Sequence, residues 1–271
     1  TDTGEKYYLL DTANPKYREN VAMQAKAAID SGVFDGVFLD WGTYNITALA
    51  DIMSRIRSKV ASDKIIIANT NGEYISQYNT YMNGAFMETD SSISMDSVRS
   101  TLISYEANSR EPRTNCVERF GSRTDLAGMR ALTTLTLTHP DGYVLWSDTT
   151  NSHVHTWFDF WNADLGKPLG AMSDLGNNKY RREFTKGTVL YNHNNSSYTI
   201  SFNEDRKRVS SGDVGRSFTV EAGDGDIFLK DTAASSAETQ ETNVNFEDRP
   251  TEETVLDGIY ENIDWGTEEW A

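Results

Sequence analysis

From residue 7 to residue 146, short apolar runs alternate with stretches of helical periodicity. YYLL (7–10) reads as a strand. Asn14 then offers a helix N-cap, and Pro15 suits the first helical position, where its missing N–H costs nothing. Tyr17, Val21, Ala25 and Ala28 recur at helical spacing, and Gly32 is a stop signal. A strand at 36–40 follows, so a helical crossover joins two strands that must lie parallel. The alternation continues. Ile46, Leu49, Met53, Ile56 and Val60 mark a second helix, and KIIIAN (64–69) a buried strand. GAFME (84–88), TNCVERF (114–120) and YVLW (143–146) are further strands. Helices are expected around 95–108 and from a cap at Thr124 to about 138. Six strands alternating with helices predict a parallel α/β sheet.

After Lys167 the pattern changes. TVLYN, SYTISF, RSFTVEA and DIFLK are strands broken by Asn, Gly and Ser turns, which predicts a small antiparallel β-sandwich. Three regions follow: 1–166, 167–231 and a tail, 232–271. The tail holds 11 acidic residues and one arginine, so it carries most of the net charge of −16. Its composition suits a linker, yet it contains Phe246, Leu256, Ile259, Tyr260, Ile263, Trp265 and Trp270. It is expected to dock on its own or a neighbouring chain.

The remaining chain has no basic face for a phosphate backbone, which argues against nucleic acid as a partner. No apolar run reaches the ~20 residues of a membrane span. Cys116 is the one cysteine, so an internal disulfide and cysteine-based metal clusters are excluded. His153 and His155 lack a third ligand beside them and are expected to belong to a packed aromatic helix with Trp157, Phe158, Phe160 and Trp161. His193 reads as a turn residue. No metal site, cofactor, phosphate loop or G-x-S-x-G elbow is expected. An acidic, Asn/Ser/Thr-rich surface and a first residue other than methionine favour a secreted or cell-surface protein with a segment missing upstream. Asn45-Ile46-Thr47, Asn194-Asn195-Ser196 and Asn195-Ser196-Ser197 fit the N-glycosylation pattern.

In parallel barrels the strand C-terminal ends build the active site. Here those ends supply Asp11, Asp40 with Trp41, Asn69 with Asn71, Glu88 with Asp90, Glu118, and Trp146 with Asp148. Asp and Asn at such positions also cap helices. Trp41 and Trp146 are not caps. Paired carboxylates flanked by aromatics suit glycosidic bond cleavage: one protonates the leaving oxygen while the other attacks the sugar carbon or activates water.

The stretch LLDTANPKYRENVAMQAKAAIDSGVFDGVFLDW resembles the mid-barrel segment of glycoside-hydrolase-like TIM barrels, especially the putative family-15-like group and its α-amylase or α-galactosidase-type relatives. It carries their D-x-x-N-P-x-x-R pattern and, at the fourth strand, [YF]-D-G-[VI]-F-x-D. The resemblance continues through IIIANTNG and GAFMETD into LGKPLG…YRREFTKGTVLYN, covering about residues 7–230. It implies a (β/α)8 barrel with a C-terminal β-domain, Asp40 as nucleophile or base, Glu88 as acid/base and Asn69 as a sugar ligand. Glu118 and Asp148 are second-rank candidates, and Asp11, Asn71, Trp41 and Trp146 join the substrate-binding set. By this alignment YYLL is the third strand, so the first two βα units are absent. Six strands cannot close an eight-stranded barrel. An upstream segment or another subunit would supply the rest, or the barrel is degenerate.

Two rival classes follow. One is a structural or assembly protein (filament, surface layer or virion component) that reuses the barrel and interlocks through its tail. The other is a sugar-binding module without catalysis.

Overall fold

The structure, a computed structural model, describes residues 11–140, 142–148 and 155–230. The strand expected at 7–10, His153 and the tail lie outside the described residues.

Asn14 caps α1 (Pro15–Asp30) by accepting the Lys16 N–H, and Pro15 opens the helix. Gly32 follows with φ +74°, a reversal that only glycine makes freely. The chain continues as β1 (Gly36–Leu39), α2 (Ile46–Arg57), β2 (Ile65–Asn69) and β3 (Gly84–Thr89). Next come α3 (Met95–Asn108), β4 (Asn115–Phe120), α4 (Leu126–Thr138) and β5 (Gly142–Ser147). Asn45 caps α2 and Ser94 caps α3. The α4 cap is Asp125, one residue beyond the expected Thr124. Its carboxylate accepts the Gly128 N–H at 2.9 Å, whereas the Thr124 hydroxyl meets Ser122.

The five strands form one parallel sheet in the order β1-β2-β3-β4-β5. Each crossover advances the chain by one strand in the same direction, so the helices cover one face. Val37, Leu39, Ile66, Ala68, Ala85, Met87, Val117, Val144 and Trp146 pack into the core on that face. The strand period of two then puts Phe38, Ile67, Phe86, Glu88, Cys116, Glu118, Leu145 and Ser147 on the other face. Phe38 is 49% exposed and Tyr143, on the same face, 63%. Parallel sheets normally bury both faces. Among the described residues this face is covered only in part: Glu118 and Ser147 are buried, whereas Phe38 and Tyr143 are open.

Helix α4 is apolar nearly all round because it lies between two sheets. It packs on β5 and also on β8 (Gly187–Asn192) and β11 (Asp224–Lys230). Four buried threonines return their hydroxyls to its own backbone: Thr133 to Met129 O (2.8 Å), Thr134 to Arg130 O (2.8 Å), Thr136 to Thr133 O (2.9 Å) and Thr138 to Leu135 O (2.7 Å). The hydroxyls are satisfied, so the helix can be buried without orphaned polar atoms. Gly225 of β11 allows the close approach. A Cβ there would stand 1.9 Å from the Thr134 Oγ1. Arg130 anchors the contact by pairing with Asp224.

The second sheet also contains β6 (Ser173–Asp174), β7 (Lys179–Glu183), β9 (Tyr198–Arg208) and β10 (Val214–Val220), in the order β10-β9-β11-β8-β7-β6. This corrects the expected two-sheet sandwich: hydrogen bonding runs through all six strands. The sheet curls instead. The β9–β10 register shifts where Gly215 pairs with Arg206 and Ser217 with Ser201, and β10 also contacts β8 and β11. Phe202, Phe218, Phe228 and Leu190 fill the fold, with the Phe218 and Phe228 rings 4.9 Å apart. Asn192 at the end of β8 closes it by donating to Val220 O and Glu221 O.

The aromatic segment after β5 is not the expected helix. Thr156 N donates to Trp146 O at 3.0 Å and His155 bridges Ser147, so the chain first runs back antiparallel along β5. One 3₁₀ turn, Asp159–Asn162, follows. Phe158 and Phe160 are buried, while Trp157 remains exposed.

Candidate active site

The parity of the sheet decides which side chains meet. Asp40 directly follows β1, Asn69 ends β2, and Glu88 and Glu118 lie opposite each other on β3 and β4. All four fall on the sheet face opposite the helices, at the C-terminal rim.

Asn69 joins the first acids. Its Nδ2 donates to Asp40 Oδ1 at 3.1 Å and to Glu88 Oε2 at 2.6 Å. Its Oδ1 accepts the Asn71 N–H at 3.0 Å, which fixes the amide orientation. The two Nδ2 bonds hold Asp40 Oδ1 and Glu88 Oε2 within about 5.7 Å of each other, close enough for both carboxyl groups to face one glycosidic bond. Every hydrogen-bonding atom of the Asn69 amide group has a protein partner, so it works as a spacer between the acids. Asp40 Oδ2 and Glu88 Oε1 make no hydrogen bond among the described residues.

The loops hold this geometry. Asp40 Oδ1 also accepts the Trp41 N–H at 2.8 Å, and Trp41 takes φ +59°, an uncommon conformation for a residue with a Cβ. Gly42 must be glycine: a Cβ would lie 2.0 Å from Asn69 O. The Tyr78 hydroxyl donates to Gly42 O, and burial pushes the Tyr78 phenol well above its ordinary value, so it stays a donor. Trp41 is left 72% exposed, edge-to-face with Tyr44 at 6.0 Å. Asn71, also at positive φ, donates to Thr43 Oγ1 and ties the two loops together.

A polar cleft of about 340 Å³ opens beside Glu88, lined by Asn71, Thr89, Asp90, Ser92, Ile93 and Phe120. The Ser92 hydroxyl and N–H hold the Asp90 carboxyl below the usual carboxylate range, with a smaller contribution from the Arg119 charge. A larger apolar groove of about 520 Å³ lies beyond β5, between α4 and the aromatic segment, away from the acid pair.

Glu118 is 2% exposed. Its Oε1 accepts from Ser147 Oγ and contacts His155 Nε2 at 3.1 Å. Ser147 was not singled out in the sequence, although it shares the inward parity of Glu118, and His155 was expected in an aromatic helix rather than beside this acid. Trp146 has the opposite parity. It is 1% exposed, its indole packs on Phe158 at 6.4 Å, and Gly121 makes room for it. It therefore belongs to the core on the helix side of β5. Asp11 is exposed and accepts the Ala13 N–H at the entry to α1; no contact joins it to the acid pair. Asp148 follows β5 and is half-buried.

No protein-family model matches this chain, and no curated protein matches it. The chemistry of the rim is argued from its geometry. Among the described residues, no group of three or more His, Cys, Asp or Glu could hold a metal ion, and no helix is long and apolar enough to cross a membrane.

Cys116 tests the electrostatics of this face. Burial, reinforced by the Glu118 charge, pushes its thiol up to about 12. Alkylation by iodoacetamide at pH 8 is therefore expected to run at least ~10²-fold slower in the folded than in the unfolded protein, because only the thiolate reacts. Equal rates would show that the thiol is neither buried nor beside a charged Glu118.

Proposed function

We propose that this protein is a glycoside hydrolase of the retaining type, with Asp40 as nucleophile and Glu88 as general acid/base. The bridge from Asn69 to both acids supports the reading, because it brings two carboxylates close enough to act on one glycosidic bond. Glu88 would give its proton to the glycosidic oxygen while Asp40 forms a bond to the anomeric carbon. Water, deprotonated by Glu88, would then release the sugar from Asp40. The exposed Trp41 and Tyr44 rings suit the apolar face of a sugar, and Asn71 and Asp90 its hydroxyls.

The finer fold belongs to the same proposal. A parallel sheet in sequential order, with helices on one face, is the arrangement of a barrel segment. Further strand–helix units, from an upstream segment or another copy, would cover the face of Phe38 and Tyr143. A location outside the cell suits a polysaccharide substrate. An assembly role is the second reading, favoured by the same partly open face, since such apolar surface marks interfaces.

The test is a panel of chromogenic pyranosides followed by proton NMR of the first-formed sugar. The expected product keeps the anomeric configuration of the substrate. Inversion would reject Asp40 as nucleophile, and no turnover on any glycoside would favour assembly.

A further inference from the structure

Three Asn-x-Ser/Thr acceptor sequences occur in the chain, and their side chains are differently engaged. Asn45 is half-buried: its Oδ1 caps α2 through the Ala48 N–H at 3.1 Å, and its Nδ2 donates to Thr12 Oγ1 at 2.8 Å. A sugar on that nitrogen would break the link between the α1 entry and the α2 cap. Asn194 is also half-buried. Its Oδ1 accepts the Asn195 N–H at 2.6 Å and its Nδ2 donates to Asn177 O at 3.1 Å. Both shape the turn between β8 and β9.

Asn195 differs. It is exposed, and its side-chain amide has no hydrogen bond among the described residues. The turn beneath it is firmly held: buried Asn192 donates to Ser196 O at 3.0 Å and accepts the Asn194 N–H at 3.1 Å, while His193 N donates to Asn178 O at 2.9 Å. Ser197, the third acceptor residue, is exposed as well. A bulky polar group on Asn195 would therefore meet solvent and disturb no contact of the fold.

We infer that Asn195 is an N-glycosylation site, and that Asn45 and Asn194 are not. The donor is an oligosaccharide on a polyprenyl pyrophosphate. The Asn195 Nδ2 bonds to the sugar C1 as the C1–O bond to pyrophosphate breaks; the amide loses one proton and the lipid pyrophosphate departs. The inference rests on the extracellular location proposed above, and not on catalysis.

The chain is expressed behind a secretion signal in a eukaryotic cell line. Peptides from the secreted and retained pools are mapped by mass spectrometry after peptide N-glycosidase treatment in heavy-oxygen water. Secreted wild-type protein should carry one glycan, at Asn195. Asn195→Gln should remove it, while Asn194→Gln and Thr47→Val, which erase the other acceptor sequences, should leave it in place. A secreted protein unmodified at Asn195, or one modified at Asn45 or Asn194, would overturn the inference. Failure to secrete, with an unmodified retained pool, would overturn it too. None of these readouts depends on sugar hydrolysis, so a protein without glycosidase activity could still carry this glycan.

Discussion

Glu88→Gln is expected to lower turnover by about 10²–10⁴-fold, the usual contribution of a positioned acid or base, and Asp40→Asn, which removes the nucleophile, by at least as much. Stability should hardly change. Asp40 is exposed, and an asparagine there keeps an oxygen for the Trp41 N–H and the Asn69 amide. Glutamine at 88 likewise keeps an acceptor for Asn69. Asn69→Leu separates chemistry from architecture. It removes the donor between two carboxylates but leaves both carboxylates in place. Turnover should fall, and the fold should lose about 1–3 kcal/mol, the cost of stranding partly buried acceptors. Thermal melts and single-turnover assays on all three variants check this. Unchanged turnover in Asp40→Asn would reject the two-acid reading outright.

Trp146→Ala is expected to cost about 3–5 kcal/mol, the range for emptying a large aromatic site in a core. The indole fills the space between β5, Phe158 and Gly121 on the helix side of the sheet. Its effect on activity should follow the folded fraction alone. Trp146→Phe, which leaves a smaller void, should recover much of the loss. Denaturant titrations give the stability, and KM on a chromogenic glycoside gives the control. A raised KM at unchanged stability would return Trp146 to the substrate side.

The contrast between Trp41 and Trp146 shows what was legible. Both were found near strand ends, but a strand alternates its faces and β5 turns Trp146 away from the rim. The same alternation, counted on by one residue from Trp146, would have pointed to Ser147. His155 was not accessible this way, because its place depends on a bridge between separate segments. The strand–helix order, the Asn14 cap, Pro15 and Gly32 were all readable, since each acts through bonds only a few residues apart. The role of Asn69 was not. That an asparagine spends both amide hydrogens on neighbouring acids is a matter of tertiary placement. The curl of the second sheet was equally hidden, because it goes with a register shift between β9 and β10 and closes through Asn192.

The threonine-lined helix between the two sheets limits how this architecture could have been rearranged during evolution. Its one flank serves the parallel sheet and its other flank the antiparallel one, so neither half is a free-standing module. A recombination event that exchanged the C-terminal sheet would need a replacement offering the same glycine-sized gap and the same carboxylate for Arg130. The two halves are therefore expected to have been inherited as one piece.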